Sequence, residues 1–337
     1  MSELTIISTR PGAENYALFS ELPKSIYAEG SQRFILGNDP VDTLLEGCHV
    51  LLKDGNPVGR FAFYENPNLN YEDKRVCTIG SFECVNDLAI SNQLLSHSVE
   101  LAKEKEYQFI IGPMEGSTWN NYRFSHHNKS PNFFMEPFHH EYYASFFEDF
   151  GFKSIADYIS NLDTEISFEE GTIAKFEKIY KDKGAIFRNL DLSNLEDELR
   201  KIARFNNDAF SKNFLFTPIS EDDFVKKYIQ YKDYFNPDLI WIVEDENAQI
   251  QALSFSIKDY LNQQEESLII KSLARRSNSP YRGIGAYLIH KTYQLAKEQG
   301  YKSIVHALML KDNVSVNISE KYADGDYKSY SLYGYAL

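Results

Sequence analysis

Apolar and polar positions along the chain fall into the same order of short runs and helical faces twice. An apolar run, LTIIS at 4–8, opens the first series, and AIFRNL at 185–190 opens the second. HVLLKDGNPVGRFAF (49–63) reads as two strands around a turn at Asp54-Gly55-Asn56. LIWIVEDENAQIQALSF (239–255) repeats that pattern around Asp245-Glu246-Asn247. A third strand follows in each series, RVCTIGSFEC (75–84) and SLIIKSLARR (267–276). Between opener and hairpin, LEDELRKIARFNNDAF (195–210) and SEDDFVKKYIQYKDYF (220–235) place apolar residues at helical spacing. Ser193 precedes the first of these, and Ser220, with Asp223 three residues on, is a capping pair for the second. Each third strand leads into a helix, a strand and a closing helix-and-strand segment. Strands in a row followed by a helix and more strands predict an α/β (α+β) protein, with a mixed, mostly antiparallel sheet flanked by helices.

The two series are related in detail. LLSHSVELAKEKEYQFIIGPM (94–114) lies over LIHKTYQLAKEQGYKSIVHAL (288–308) without a gap, at an offset of 194 residues. LAKE meets LAKE, and Tyr107 meets Tyr301. The hairpins match in the same order at an offset near 191. Two such matches indicate a duplicated unit. The charged, helix-patterned stretch 162–184 is expected to bridge residues 1–161 and 185–337.

The second unit carries a feature that the first lacks. After SLIIKSLA, the turn formers Ser277, Asn278, Ser279 and Pro280 end the strand, and Arg282-Gly283-Ile284-Gly285-Ala286 opens a helix. The first amides of a helix have no intrahelical acceptor and stand at the positive end of its dipole. Phosphate can take those bonds where glycine lets the backbone come close. Two glycines also serve simply to turn a chain. At the 194 offset, however, Gly283 and Gly285 face Ala89 and Ser91, and Arg282 faces Leu88. A turn needed only for structure would be expected in both units, so the difference favours a ligand role in the second.

Composition narrows the partners. A length of 337 residues suits two domains better than one core, and 43% hydrophobic residues suffice to build them. The 23 Tyr and 24 Phe suit an aromatic-walled cleft and a packed interior equally. A formal charge of −14 argues against binding to nucleic acid or to an anionic membrane surface, although Arg275, Arg276 and Arg282 form a local basic patch. Three cysteines without motif spacing, Cys48, Cys77 and Cys84, suggest neither a disulfide framework nor a zinc site. With no apolar leader and no apolar run of about 20 residues, the expectation is a soluble cytoplasmic protein, monomeric or homodimeric.

The glycine turn and the order of elements resemble the GNAT superfamily of acyl-CoA-dependent N-acyltransferases. Gly283-Ile284-Gly285 matches the end of its Gln/Arg-x-x-Gly-x-Gly/Ala loop. The first position of that pattern falls on Pro280, which departs from it, and Arg282 is the nearby cation. GSFECVND (80–87), GPMEGSTWNN (112–121) and MEPFHHEYYASFFEDFGF (135–152) are similar to bacterial tandem GNAT-like proteins. The resemblance implies two tandem GNAT-like domains, with 1–161 degenerate and contributing to the acceptor site, and 185–337 binding acetyl-CoA or another acyl-CoA. It implies cofactor contacts from Leu273, Ala274, Arg282, Gly283, Ile284, Gly285 and Ala286, and from Asn313 in the closing block LKDNVSVNISEKYADGDYKSYSLYGY (310–335). Tyr322 falls near the tyrosine that protonates the leaving thiolate.

Acyl transfer to an amine needs a deprotonated amine, a polarised carbonyl and a protonated thiolate. Glu83, between Phe82 and Cys84, is a candidate base if burial raises its pKa; otherwise it is a strand glutamate in solvent or an ion pair. Trp119, Asn120, Tyr142 and Tyr143 are candidates to line a substrate cleft, or to serve in a core or on the surface. His126-His127 and His139-His140 point to opposite faces if extended, so no metal site is expected. Asn128-Lys-Ser is a glycosylation sequon without meaning in the cytoplasm. The leading expectation is an acyltransferase acting on an amine of a small molecule or peptide. The alternatives are a non-catalytic CoA-binding scaffold and an aminoacyl-transferase on the same duplicated fold.

Overall fold

The computed structural model describes residues 3–34, 42–126, 130–323 and 326–337. His127, the Asn128 sequon and Asp324-Gly325 of the closing block lie outside them. The strands are β1 (Leu4–Thr9), β2 (Leu45–Lys53), β3 (Asn56–Tyr64), β4 (Asn70–Tyr71), β5 (Lys74–Cys84), β6 (Phe109–Gly112) and β7 (Phe124–Ser125), then β8 (Lys153–Asp163), β9 (Ile186–Asn189), β10 (Ile240–Glu244), β11 (Ile250–Lys258), β12 (Ser267–Arg275), β13 (Ser303–Leu310) and β14 (Asp326–Ala336). The helices are α1 (Ala17–Ser20), α2 (Leu22–Ile26), α3 (Leu88–Glu104), α4 (Tyr142–Phe150), α5 (Glu170–Lys181), α6 (Leu195–Ala209), α7 (Glu221–Ile229), α8 (Ile284–Glu298) and α9 (Val314–Ser319). None is long and apolar enough to cross a membrane among the described residues.

One sheet runs through the molecule in the order β1-β2-β3-β5-β6-β14-β8-β13-β12-β11-β10-β9. Two of its pairings are parallel, β5 with β6 and β12 with β13, and these occupy matching places in the two units. Helices α3 and α8 cross over between those strands. Each buries a helical stripe, Ile90, Leu94 and Leu95 in α3 and Ile284, Leu288 and Ile289 in α8, as the periodicity requires. Ser220 caps α7 as expected, accepting from the Asp223 amide at 3.0 Å. Ser193 caps nothing; its hydroxyl donates to Asp191, whose carboxylate holds the turn before α6. The bridging segment begins later than expected, because Leu162 and Asp163 belong to β8.

The units exchange their closing strands. The first unit's last strand, β8, pairs with β13 of the second, and the second unit's last strand, β14, pairs with β6 of the first. The two exchanged strands pair with each other between them. Tyr333 of β14 is therefore part of the first unit's core, with Phe147 and Phe124. A second crossing comes from the chain after β7. Phe133 and Phe134 are buried against Ile257, Ile269 and Val305 of the second unit, each contributing about 1.5–3 kcal/mol. The Phe134 amide donates to Asp259 Oδ1 at 2.9 Å.

Candidate active site

Parallel strands β12 and β13 pair only from Ser267↔Ser303 to Ile270↔His306, and then diverge. Beyond that point β12 is bonded to β11 alone, so one backbone edge of residues 271–275 faces the gap. The β11–β12 register skips at this place, with Phe255 opposite Ser272 and Ser256 opposite Ile270. Lys271 is the extra residue, and a bulge of this kind re-aims a side chain. It turns Lys271 into a cleft of about 1690 Å³ that both units line. The residue is half-buried, and its ammonium has no ion-pair partner among the described residues. Desolvation by the walls, with the Arg123 and Lys227 charges adding to it against Glu136, pushes its pKa down to about 7. His306, at the fork, is buried and held neutral near pKa 4 by desolvation; its Nε2 lies 2.9 Å from the Tyr293 hydroxyl.

The glycine turn opens on the same cleft. Gly283 is the N-cap of α8 at φ +84°, a left-handed conformation that accounts for glycine there, and no side chain caps the helix. The Ile284 amide bonds back to Tyr281 O at 3.2 Å, and the amides of Gly285 and Ala286 meet no acceptor among the described residues. Internal packing does not require glycine at 285, since a Cβ would stand 3.5 Å from Leu273 Cδ2, in ordinary contact. Buried Tyr281 anchors the turn, and the Tyr180 hydroxyl holds Arg282 O at 3.0 Å. Leu273, Ala274, Gly283, Gly285, Ala286 and Asn313 all line the cleft. Arg282 is exposed beside it, and the Ile284 side chain is fully buried, so only backbone is available there.

The matching place in the first unit borders the same cleft but is obstructed twice over. Asp87 caps α3, its carboxylate accepting from the Ala89 amide at 2.9 Å and the Ile90 amide at 3.4 Å. The fork between β5 and β6 is filled by Met114 and Glu115. The Met114 amide bonds to Ile79 O at 2.7 Å, and Ser81 donates to Glu115 Oε1 at 2.8 Å. A Cβ at Gly80 would lie 2.9 Å from the Met114 backbone.

Four candidates have surroundings that their chain neighbours do not show. Glu83 is buried, but not among apolar groups. Its carboxylate accepts from Arg33 Nε at 2.7 Å, Tyr27 at 2.9 Å and Tyr143 at 2.8 Å, with Arg60 at 3.8 Å. This is the ion pair that the sequence left open as the other reading. Tyr142 and Tyr143 belong to this network and the first core, the Tyr142 hydroxyl donating to Cys84 O at 2.9 Å. Tyr322 packs on Tyr293 outside the cleft lining, its hydroxyl 3.1 Å from His290 Nε2 and its pKa pushed up to about 12 by burial.

Trp119 and Asn120 do line the cleft, at the seam of the units. Trp119 Nε1 donates to Thr217 O at 2.7 Å, and Lys227 of α7 donates to Asn120 Oδ1 at 2.9 Å. The sequence reading missed Lys271, Glu115, Lys227 and Arg123. Lys271 carried a signal, a lone lysine in the apolar strand SLIIKSLA, and Glu115 stood inside a quoted motif. No group of three or more His, Cys, Asp or Glu among the described residues can hold a metal ion.

No protein-family model matches the sequence, and no curated protein does. Solved structures do match. A tandem GNAT protein from the clavulanic acid biosynthesis pathway aligns over 99% of this chain and 98% of its own, at 10% identity and TM-score 0.53. The fold is that of a tandem GNAT protein. A GCN5-related N-acetyltransferase from Sphaerobacter thermophilus aligns over 98% and 95%, with the same identity and score. The glucosamine N-acetyltransferase region of a fungal multi-domain β-N-acetylglucosaminidase aligns over 99% of this chain at 12% identity and TM-score 0.58; this chain spans 38% of that protein. At such identities the likeness is one of fold. Within the tandem GNAT fold, the forks β5/β6 and β12/β13 are equivalent positions bordering one cleft; Met114 and Glu115 occupy the first, and among the described residues no strand pairs with 271–275 across the second.

Proposed function

We propose that the protein is an acyl-CoA-dependent N-acyltransferase that binds its acyl donor in the second unit and its amine acceptor, a small molecule or peptide, at the seam with the first. One observation carries this reading. The uncapped start of α8 and the open fork of β12 and β13 share a single cleft, while their first-unit counterparts are capped and filled. The residues fit the donor: free amides and a helix dipole suit the pyrophosphate, the edge of 271–275 offers hydrogen bonds to an extended arm, and Asn313 stands along the path. Acyl-CoA supplies an acyl group activated as a thioester.

The rest of the chemistry belongs to the chain. Lys271 Nζ, its pKa pushed down to about 7, takes a proton from the acceptor ammonium. One backbone N–H on the free edge at Leu273 or Ala274 would meet the carbonyl oxygen as it gains charge. As the C–N bond forms and the C–S bond breaks, the protonated Lys271 ammonium returns its proton to the departing sulfur, and the nitrogen sheds its remaining extra proton to solvent as it becomes the amide.

Calorimetric titration with acetyl-CoA tests the placement. Gly285→Asp puts a carboxylate at the second position of α8, where it suits the dipole and leaves the fold intact. It should weaken acetyl-CoA at least about tenfold, the weight of a charge-assisted bond. Unchanged affinity in a normally melting variant would remove the donor from the turn.

A further inference from the structure

The cleft holds more positive charge than the donor site uses. Arg123 stands just before β7 at φ +71° and is 6% exposed. Its guanidinium carbon lies 4.0 Å from the centre of the Tyr122 ring and 4.3 Å from that of Tyr158. One nitrogen makes a long contact, 3.4 Å to Leu308 O, and Nε is buried with no acceptor. No carboxylate stands within ion-pair distance among the described residues. Arginine cannot shed its proton, and a buried charge of this kind is normally paired. Two more cations, Lys227 and Lys271, act across the same space.

The nearby carboxylates do not balance them. Glu136 is engaged by buried Lys328 at 2.8 Å and by Tyr330 at 2.9 Å. Of the other carboxylates on the cleft wall, Glu83 is paired with Arg33, Asp223 accepts from the Ser220 hydroxyl at 2.6 Å, and Glu115 accepts from Ser81 at 2.8 Å and from Asn121 at 3.3 Å. A protein with a formal charge of −14 thus keeps a cationic pocket where its two units meet. Leu308, which Arg123 touches, lies on the diverging end of β13, so the pocket adjoins the fork and Lys271.

We propose that the acceptor amine carries a carboxylate, and that Arg123 binds that carboxylate. The fork of donors, held against two rings, matches a planar carboxylate. A substrate carboxylate held there leaves its amine to reach Lys271 at the adjoining fork. The acceptor class is therefore the amino acids, free or at the end of a short peptide with a free carboxylate. This inference rests on the acyltransferase reading, but its test does not depend on turnover.

Binding is measured by calorimetry on the full chain, without and with saturating CoA, using the twenty free L-amino acids, their carboxamides, and the glycyl dipeptides in acid and amide form. At least one acid should bind, with its amide at least about tenfold weaker, the loss expected for a charge-assisted contact. Free amino acids and dipeptides separate the two sources of the carboxylate. In Arg123→Gln the acid and amide should bind alike, while CoA affinity stays as in the wild type. Should that variant fail to fold, Arg123→Lys keeps the charge without the fork and should retain only part of the preference. Equal binding of acids and amides, an absence of binding by every carboxylate in the set, or an undiminished preference in a folded Arg123 variant would overturn the proposal. Failure of the acyltransferase reading would be seen separately, as no binding of acetyl-CoA with the carboxylate preference intact.

Discussion

A lysine on a regular strand of this sheet would point to solvent or into a helix-covered core; the extra residue in β12 turns Lys271 to the fork instead. Surrounded by low-dielectric walls and by Arg123 and Lys227, with only Glu136 opposing, it loses its proton near pH 7. The neutral form is the base and is present above that pKa. Acetyl transfer, followed by thiol release with the acceptor found as above, should therefore rise with pH through about 7 and level off. Lys271→Met should lower kcat by about 10²–10⁴, the range for general bases, and abolish that limb while leaving acetyl-CoA affinity alone. A variant that keeps the pH limb would clear Lys271 of the role. Glu83 behaves in the opposite way. With Arg33 and Arg60 against it, Glu83→Gln leaves buried positive charge uncompensated and should cost about 3–5 kcal/mol in urea unfolding. A loss below about 0.5 kcal/mol, the scale of surface changes, would contradict the network. Phe82 and Cys84 made Glu83 look like an isolated buried acid because chain neighbours say nothing of what crosses to meet a side chain. Its partners Arg33 and Tyr27 come from 50 and 56 residues away in the chain.

Two strand–helix junctions of common design have diverged by local means. At α8 glycines leave the amides open, and at α3 Asp87 occupies them. Removing that cap should cost about 0.5–2 kcal/mol, as N-caps do. Asp87→Ala should nonetheless bind acetyl-CoA with a stoichiometry of one, because Met114 and Glu115 still fill the first fork. A second site in the titration would mean that the cap alone had closed it. Elements of this kind were legible in the sequence, since alternation and helical spacing are local consequences of burial, and the repeated LAKE segment aligned the two junctions. The glycine turn was legible for the same reason, as a local break in one copy. The bulge, the filled fork and Arg123 were not, because each depends on residues that become neighbours only in the folded sheet.

At the scale of the molecule, the exchange of β8 and β14 makes each unit depend on the other. The pattern of apolar residues located both strands but could not name their partners, because alternation fixes a strand's faces and leaves its edges unassigned. Cutting the chain after Glu165 tests the consequence. Residues 1–165 keep β8 but lose β14, which separates β8 from β6; residues 166–337 keep β13 but lose β8 beside it. Each fragment then exposes central apolar strands with unpaired edges, a template for aggregation. Ile166 and Phe168 stay with the second fragment, where they pack, so the cut itself disturbs little. Expressed alone, each fragment should be insoluble or self-associated; expressed together, they should copurify one to one and melt in a single transition like the intact chain. A fragment that is monomeric and melts cooperatively alone would show that the exchanged strands are dispensable. The cleft would then have to be treated as a contact between two independent domains rather than as a site that exists only when both are folded.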